Sequence, residues 1–245
     1  AVSDSDPGDR GVSNLVLEVR PERSEAKVAA QKINRFVHEA HRSLSRHPLN
    51  LERARRGLLP ANGVITRGAG AAFLLPNLLS DRQIATAVVA GCNTVRGVGR
   101  ILGFDAIYDP RFTADASTDL DAKMATAVEA LERFSIVYLH VKAPDLFSHD
   151  CQPEAKRDFI ERLDRAMVAL EGHGALTALA SDHTTDSNSG AHTADPVPVL
   201  IHDPAAGSAH KTRMINFGES ACRGGNLPRQ TGHEFLLSLL HQMEN

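Results

Sequence analysis

The sequence has no tryptophan, only three cysteines and no apolar run long enough to span a bilayer. Cys92, Cys151 and Cys222 are far apart and form no CxxC motif or disulfide pattern, which predicts a reducing, cytoplasmic environment. No signal-peptide pattern opens the chain. An excess of one charge is also absent, because 27 Lys and Arg face 30 Asp and Glu. These absences argue against a membrane or a nucleic-acid partner.

The chain does have 42% hydrophobic residues over 245 positions, enough for one large domain or two small ones. From residue 84 onward, continuous apolar segments typical of buried strands alternate with amphipathic segments typical of helices. The expected strands are 84–91, 104–109, 135–142, 175–182 and 197–203, and the expected helices are 95–103, 120–134, 153–172 and 233–243. This alternation predicts an α/β fold with a mainly parallel sheet and helices on both faces.

The first 70 residues follow a different pattern. An alternating strand is expected at 12–20, followed by a helix that Ser24 caps and that runs to about His47, where Pro48 stops it. Residues 47–63 look like a loop, and 64–70 look like a short strand that enters a glycine turn.

Two of the expected strands are followed by aspartate and histidine residues. The strand at 135–142 is followed by Asp145 and His149, which share one face if the next turn is helical. The strand at 175–182 ends in Asp182 and His183, and His192 follows nine positions later. Ligands bind at the carboxyl ends of strands in such a sheet. Carboxylate and imidazole together favour Mn, Zn or Co over Ca or Mg, and five such groups can hold two ions suited to phosphoryl transfer.

Each residue also has an ordinary structural interpretation. Asp145 alone can cap a helical turn, His149 can be a surface histidine, and Asp182 can form an Asx turn. The metal interpretation depends on both clusters falling at strand ends. His140 lies inside a strand and is interpreted as a satisfied core histidine or one that supports a ligand.

Two segments carry a resemblance to a known family. HVKAPDLFSHD and DHTTDSNSGAHTADPVPVLI resemble the metal motifs of the archaeal-type cofactor-independent phosphoglycerate mutases, in the alkaline phosphatase superfamily. The segments VSDSDPGDRG, HPLNLERARRGLLPANGVITRGAG and FGESACRGGNLPR extend the similarity. The resemblance implies an alkaline-phosphatase-like core at 63–245, preceded by part of an inserted α+β cap at 1–62.

The resemblance also implies roles for the metal residues. Asp145, His149 and His192 match the ligands of a first ion, and Asp182 and His183 match two ligands of a second. The implied cofactors are two divalent ions, with Mn first and Zn, Co or Mg as alternatives.

The implied substrate is a small phosphorylated molecule. Asp4, Asp6, Arg55 and Arg67 lie in segments that, by resemblance, face it from the cap or its hinge. The implied reaction interconverts 3- and 2-phosphoglycerate through a phosphoserine.

The chain departs from the family pattern at several positions. Ser148 and Cys151 stand where the family commonly has glycine, Gly190 where it usually has lysine, and Gly8 where it has histidine. The family's nucleophilic serine lies in an N-terminal segment that matches nothing here, so no catalytic nucleophile is identified and a missing segment or companion chain is expected. Two alternatives stay open: a related enzyme acting on another phosphorylated or phosphonate molecule, and a non-catalytic fragment or partner subunit.

Overall fold

The computed structural model of the chain describes residues 1–8, 16–71, 84–206 and 216–244. It divides into two compact units, Ala1–Leu74 and Leu75–Asn245, called here the first and second units. Residues 63–71, expected at the start of the core, lie in the first unit, where the Ser5 amide donates to the Thr66 carbonyl at 3.0 Å. The identity of the first unit as part of a cap stays a prediction.

The helices of the first unit differ from the expected single helix. A 3-10 turn at Ser24–Ala26 precedes α1 (Lys27–Ser45), and α2 follows at Pro48–Arg55. Ser24 is therefore the first residue of a turn and makes no cap. Pro48 begins α2, where its missing amide hydrogen costs nothing, so residues predicted as a loop are helical.

The two strands expected in the first unit are wrong where the structure describes them. Residues 16–20 and 64–70 have no strand neighbour, and an isolated bridge joins Val2 to Pro21. Isolated backbone bonds, such as the one from the Leu17 amide to the Ser5 carbonyl at 2.8 Å, and side-chain bonds satisfy the backbone instead. The Asn34 amide bonds both the Val19 N–H and carbonyl, at 2.8 and 2.9 Å. Residues 12–15 of the expected first strand lie outside the described residues.

The second unit contains the expected parallel sheet, in the order β2 (Asp105–Ile107), β1 (Thr86–Val89), β3 (Ile136–Leu139). The central strand is buried along its whole length, as its apolar sequence predicts. Val88 pairs with Ala106 on one side and with Tyr138 on the other.

Helices cover both faces of β1. Successive strand side chains point to opposite faces. Val88 faces α3 (Asn93–Ile101), whose buried Gly99 has no side chain and so admits it, whereas Ala87 packs with Ala130 of α4 on the other face. α4 spans Leu120–Ala130. The predicted α/β arrangement with helices on both faces is confirmed here.

A larger apolar cluster joins α4 to the next two helices, α5 (Ala143–His149) and α6 (Pro153–Met167). Its buried members are Leu120, Met124, Ala143, Phe159 and Ala166. This packing fixes α5, which carries Asp145 and His149, directly after β3.

The C-terminal strands form where expected but pair differently. β4 (Thr177–Ala180) and β7 (Val199–His202) form an antiparallel pair, and within the described residues neither pairs with β1–β3. Between them lies a two-strand ribbon of β5 (Thr184–Thr185) and β6 (His192–Thr193). No helix crosses over between β4 and β7, so the chain returns antiparallel.

Two helices, α7 (Glu219–Cys222) and α8 (Gly232–Glu244), complete the described chain, and the second is the expected closing helix. None of the described helices combines the length and apolar character needed to cross a bilayer.

Candidate metal centre

The helix α5 brings Asp145 and His149 together. They lie one turn apart on the same face, and His149 Nε2 is 3.5 Å from Asp145 Oδ1. Three residues separate β3 from this helix, which has Pro144 in its first turn, so both side chains stand near the carboxyl end of a parallel strand. The shared helical face predicted for these residues is confirmed.

The ribbon of β5 and β6 adds His192 to this pair. His192 Nε2 lies 3.2 Å from His149 Nε2. One ligand atom each from Asp145, His149 and His192 lie within 4.8 Å of one another. One carboxylate oxygen and two imidazole nitrogens at this spacing can converge on a single divalent ion.

The loop at 186–191 orients His149. The Asp186 carboxylate accepts hydrogen bonds from the Asn188 amide at 3.0 Å and the Ser189 hydroxyl at 2.7 Å, and these bonds lower its pKa. The loop ends with the Gly190 carbonyl 2.8 Å from His149 Nδ1. A carbonyl only accepts, so Nδ1 carries the hydrogen and the Nε2 lone pair is free to bind an ion.

Gly190 is needed at this turn for two reasons. Its φ of 70° lies in the left-handed region, and an added Cβ would stand 2.8 Å from the His149 carbonyl oxygen. The loop of this chain is therefore built around glycine at the position where the family usually has lysine.

Asp182 and His183 join the same cluster from the end of β4. His183 Nε2 lies 3.4 Å from Asp182 Oδ2 and 3.9 Å from Asp145 Oδ1. The His183 and His192 rings have centroids 4.1 Å apart. All five residues predicted as metal ligands are thus neighbours, and Asp182 is largely exposed, with 73% of its side chain accessible.

Two side chains that sequence reasoning did not identify hold Asp145. Lys142 forms an ion pair with Asp145 Oδ2, and the buried Thr185 donates to Oδ1 at 2.8 Å. Burial alone would raise the pKa of Asp145, but these hydrogen bonds outweigh it and lower the pKa. Lys142 had one sequence signal, its place three residues before Asp145. Thr185 is 40 residues away and had only its nearness to His183.

His140 does not fit the first of its two interpretations, a satisfied core histidine. Its Nδ1 is buried without a hydrogen-bond partner among the described residues, and burial lowers its pKa. Its carbonyl accepts from the buried Lys123 at 3.2 Å.

Two further departures from the family pattern, Ser148 and Cys151, flank the cluster. The Ser148 hydroxyl is fully buried, donates to the Pro144 carbonyl at 3.1 Å and accepts from Ser187 at 3.2 Å. Cys151 adopts φ 52°, a left-handed conformation that glycine reaches at lower cost.

The residues predicted to bind substrate belong to the first unit. Arg67 Nε lies 3.1 Å from Asp6 Oδ2, and Asp4 Oδ1 accepts from the Gly68 amide at 2.8 Å. The structure therefore brings Asp4, Asp6 and Arg67 together around residues 66–68. Arg55 lies apart from these contacts, exposed at the end of α2 and 3.5 Å from Glu52.

Comparisons with known proteins agree with this geometry. The chain is 36% identical over 241 residues to the 2,3-bisphosphoglycerate-independent phosphoglycerate mutase 1 of Archaeoglobus fulgidus. That match covers 96% of this chain and 58% of the relative. The chain thus spans a little over half the length of the curated relatives it matches.

Solved structures give the same picture. A Pyrococcus horikoshii protein of 32% identity superposes with a TM-score of 0.77, over 90% of this chain and 58% of that one. The cofactor-independent phosphoglycerate mutase of Thermoplasma acidophilum, 27% identical, gives 0.59 over 99% and 59%. The profile of the metalloenzyme superfamily matches residues 8–238. Both the family and the three-residue cluster support binding of a divalent metal. On its fold, its ligand cluster and this match, the chain belongs to the metalloenzyme superfamily.

Proposed function

We propose that this chain is the metal-binding part of a cofactor-independent phosphoglycerate mutase, an isomerase of glycolysis that interconverts 3- and 2-phosphoglycerate. The observation that carries the proposal is the convergence of Asp145, His149 and His192 with the Asp182–His183 pair. The relatives named as phosphoglycerate mutases, at up to 36–37% identity, support the choice of reaction.

Within this proposal, the five ligands divide into two sets. Asp145, His149 and His192 hold one Mn ion, and Asp182 and His183 provide part of the site for a second. When bound, the ions supply positive charge that stabilises the phosphoryl oxygens during transfer. The protein's own contribution is orientation, since hydrogen bonds fix the carboxylate of Asp145 and the ring of His149 before an ion arrives.

The first unit is proposed to bind the substrate. Arg67 is the best placed of the four candidates, because 72% of its side chain is accessible while Asp6 holds its Nε. The rest of the guanidinium can make a two-point contact with phosphate or carboxylate. Asp4 fixes the backbone beside it through Gly68. Arg55 is retained as a weaker candidate because it lies outside this group.

The serine nucleophile is proposed to come from a segment outside these 245 residues. Thr185 lies two residues after His183, but its hydroxyl is buried and donates to Asp145. A cytoplasmic location agrees with a glycolytic reaction and with the three free cysteines.

A second candidate function is a related phosphotransferase or phosphohydrolase that acts on another small phosphorylated or phosphonate molecule. The observation that favours it is Gly190, because the turn at this position excludes the lysine usual in the family. Without that lysine, no cation at this position would neutralise the negative charge of a substrate, so the preferred substrate would change.

The test is an enolase-coupled assay with Mn. It compares the purified chain with a fusion that adds the part of the Archaeoglobus fulgidus relative that this chain does not match. We expect turnover of 3-phosphoglycerate by the fusion, and no isomerase activity from the chain alone. In the fusion, Arg67→Lys should lower turnover about ten-fold, the scale of one lost charged hydrogen bond. Hydrolysis without isomerisation would favour the second candidate, and robust isomerase activity of the chain alone would overturn the proposed source of the serine.

A further inference from the structure

The hydroxyl of Thr185 lies between the two proposed ligand sets. Its Oγ1 is 2.8 Å from Asp145 Oδ1, in the first set, and 3.2 Å from His183 Nδ1, in the second. Thr185 is 6% exposed, so these partners are not exchanged with bulk water. Among the described residues, no other hydroxyl is hydrogen-bonded to a member of each set.

The number of hydrogens fixes the direction of both bonds. A threonine hydroxyl has one hydrogen, and an ionised carboxylate can only accept. Thr185 therefore donates to Asp145, and its contact with His183 requires Nδ1 to be the donor. His183 is then protonated on Nδ1, which leaves the Nε2 lone pair towards Asp182, 3.4 Å away.

The backbone holds Thr185 in this position. It pairs with His192 in the antiparallel ribbon of β5 and β6, so it is also tied to the third ligand of the first set. Thr184, its neighbour in the ribbon, points its hydroxyl elsewhere and donates to the Asp195 carbonyl at 3.2 Å. Adjacent strand residues face opposite ways, which explains why only one of the two threonines reaches the ligands.

We propose that Thr185 is a positioning residue that couples the two ion sites, an inference that rests on the proposed metal-dependent function. Its hydroxyl fixes the carboxylate of the first site and the ring orientation of the second through one shared atom. Loss of the hydroxyl leaves Asp145 with one donor fewer and frees the His183 ring to rotate. Both changes weaken ion binding without removing any ligand.

The experiment titrates Mn into the purified chain and follows free Mn by electron paramagnetic resonance. Thr185→Val keeps the shape and removes the hydroxyl, and we expect it to weaken Mn binding by about 10- to 100-fold, the usual effect of losing a partner of a metal ligand. Thr185→Ser keeps the hydroxyl and should bind within a few-fold of the unaltered chain. Thr184→Val is the matched control and should bind as the unaltered chain does.

A spectroscopic readout separates positioning from general loss of structure. With saturating Co, Thr185→Val should change the visible absorption spectrum, whereas Thr185→Ser and Thr184→Val should not. If Thr185→Val does not fold, as judged by circular dichroism, Thr185→Ala replaces it in the comparison with Thr185→Ser.

The outcomes are distinct. Equal Mn affinity of Thr185→Val and the unaltered chain would overturn the inference, as would an equally large loss in Thr185→Ser, because that variant keeps the hydroxyl. Absence of Mn binding by the unaltered chain would instead overturn the proposed metal-dependent function.

Discussion

Two histidines of the candidate metal centre have their Nδ1 atoms held by the protein. Gly190 holds His149 through its carbonyl, and Thr185 holds His183 through its hydroxyl. Each contact leaves the Nε2 atom to face the cluster. Folding already restricts the orientation of these rings, so less conformational entropy is lost when an ion binds. This favours tight binding of the ion.

The two ligand sets should differ in affinity. The second set has two residues, one of which, Asp182, is largely exposed, while the first has three residues with an anchored carboxylate. Titration with Mn should show a tighter and a weaker class of site, and Asp182→Asn should weaken only the latter. Asp203→Asn, which alters an exposed carboxylate that accepts from the Ala205 amide, is the control and should change neither. Loss of the tighter class in Asp182→Asn would contradict the division into sets.

Two glycine variants separate the effect of the close contact at Gly190 from the effect of its left-handed backbone conformation. An added Cβ at Gly174 has open space around it, and φ there is 67°. Gly174→Ala should therefore lower the free energy of unfolding by about 1–2 kcal/mol, the penalty of a left-handed residue. Gly190→Ala has a similar φ but also pushes against His149, so it should cost more and weaken Mn binding as well. Urea unfolding and Mn titration of both variants check this. Equal costs with unchanged Mn affinity would show that the contact at Gly190 does not matter.

The sequence predicted the candidate ligands but not the groups that hold them in place. Asp145, His149 and His192 were found from residue type and from their place after strands, which are local properties. The partners of these ligands were not found, because the contact from Thr185 to Asp145 spans 40 residues and depends on where β5 meets α5. The contact from Gly190 is made by its backbone carbonyl, and a pattern of side chains cannot indicate such a contact.

The elements of the second unit follow closely from hydrophobic patterning. The apolar run at β1 gave a buried central strand, and the amphipathic run at 153–172 gave α6. The antiparallel pairing of β4 with β7 was missed, because strand direction depends on the connection and not on composition. α2 was missed because proline and arginines suggested a loop, although proline suits a first helical turn.

The packing of α3 on β1 depends on one of the two glycines in that helix. An added Cβ at Gly99 would lie 2.6 Å from Val88 Cγ1, so Gly99→Ala should destabilise the fold by about 1–3 kcal/mol through overpacking. At Gly97 nothing lies within 4 Å, and Gly97→Ala should stabilise by about 0.5–1 kcal/mol. Thermal or urea unfolding of the two variants measures both changes in stability. A stabilising Gly99→Ala would mean that α3 can move away from the sheet.

The buried Lys123 links α4 to the end of β3 and should make stability depend on alkaline pH. Its ammonium donates to the carbonyls of Thr113 and His140, and burial lowers its pKa from the ordinary 10.5. The folded state therefore releases this proton at a lower pH than the unfolded state. Between the lowered pKa and 10.5 the unfolded state binds more protons, so this contribution to stability rises with pH.

The measurement is urea unfolding of the unaltered chain and of Lys123→Met, from about pH 8 to 10.5, where histidines are neutral in both chains. The unaltered chain should gain stability relative to Lys123→Met across this range. Parallel stability curves would contradict the lowered pKa.

At the scale of the whole molecule, the two units divide the proposed work. The first unit gathers Asp4, Asp6 and Arg67, and the second holds the candidate ligands. The chain covers 58% of the Archaeoglobus fulgidus relative. The candidate site for the first ion consists of Asp145, His149 and His192, which this chain contains, so its metal binding can be tested with the chain alone.

The most direct test is the Mn content of the purified chain after equilibrium dialysis, for the unaltered chain, Asp145→Ala and His192→Ala. His173→Ala, in the turn before β4, is the matched histidine control. We expect the unaltered chain and His173→Ala to retain Mn, and Asp145→Ala and His192→Ala to lose it, because each loses one of three converging ligands. Equal Mn content in all four proteins would contradict the assignment of the metal centre to Asp145, His149 and His192.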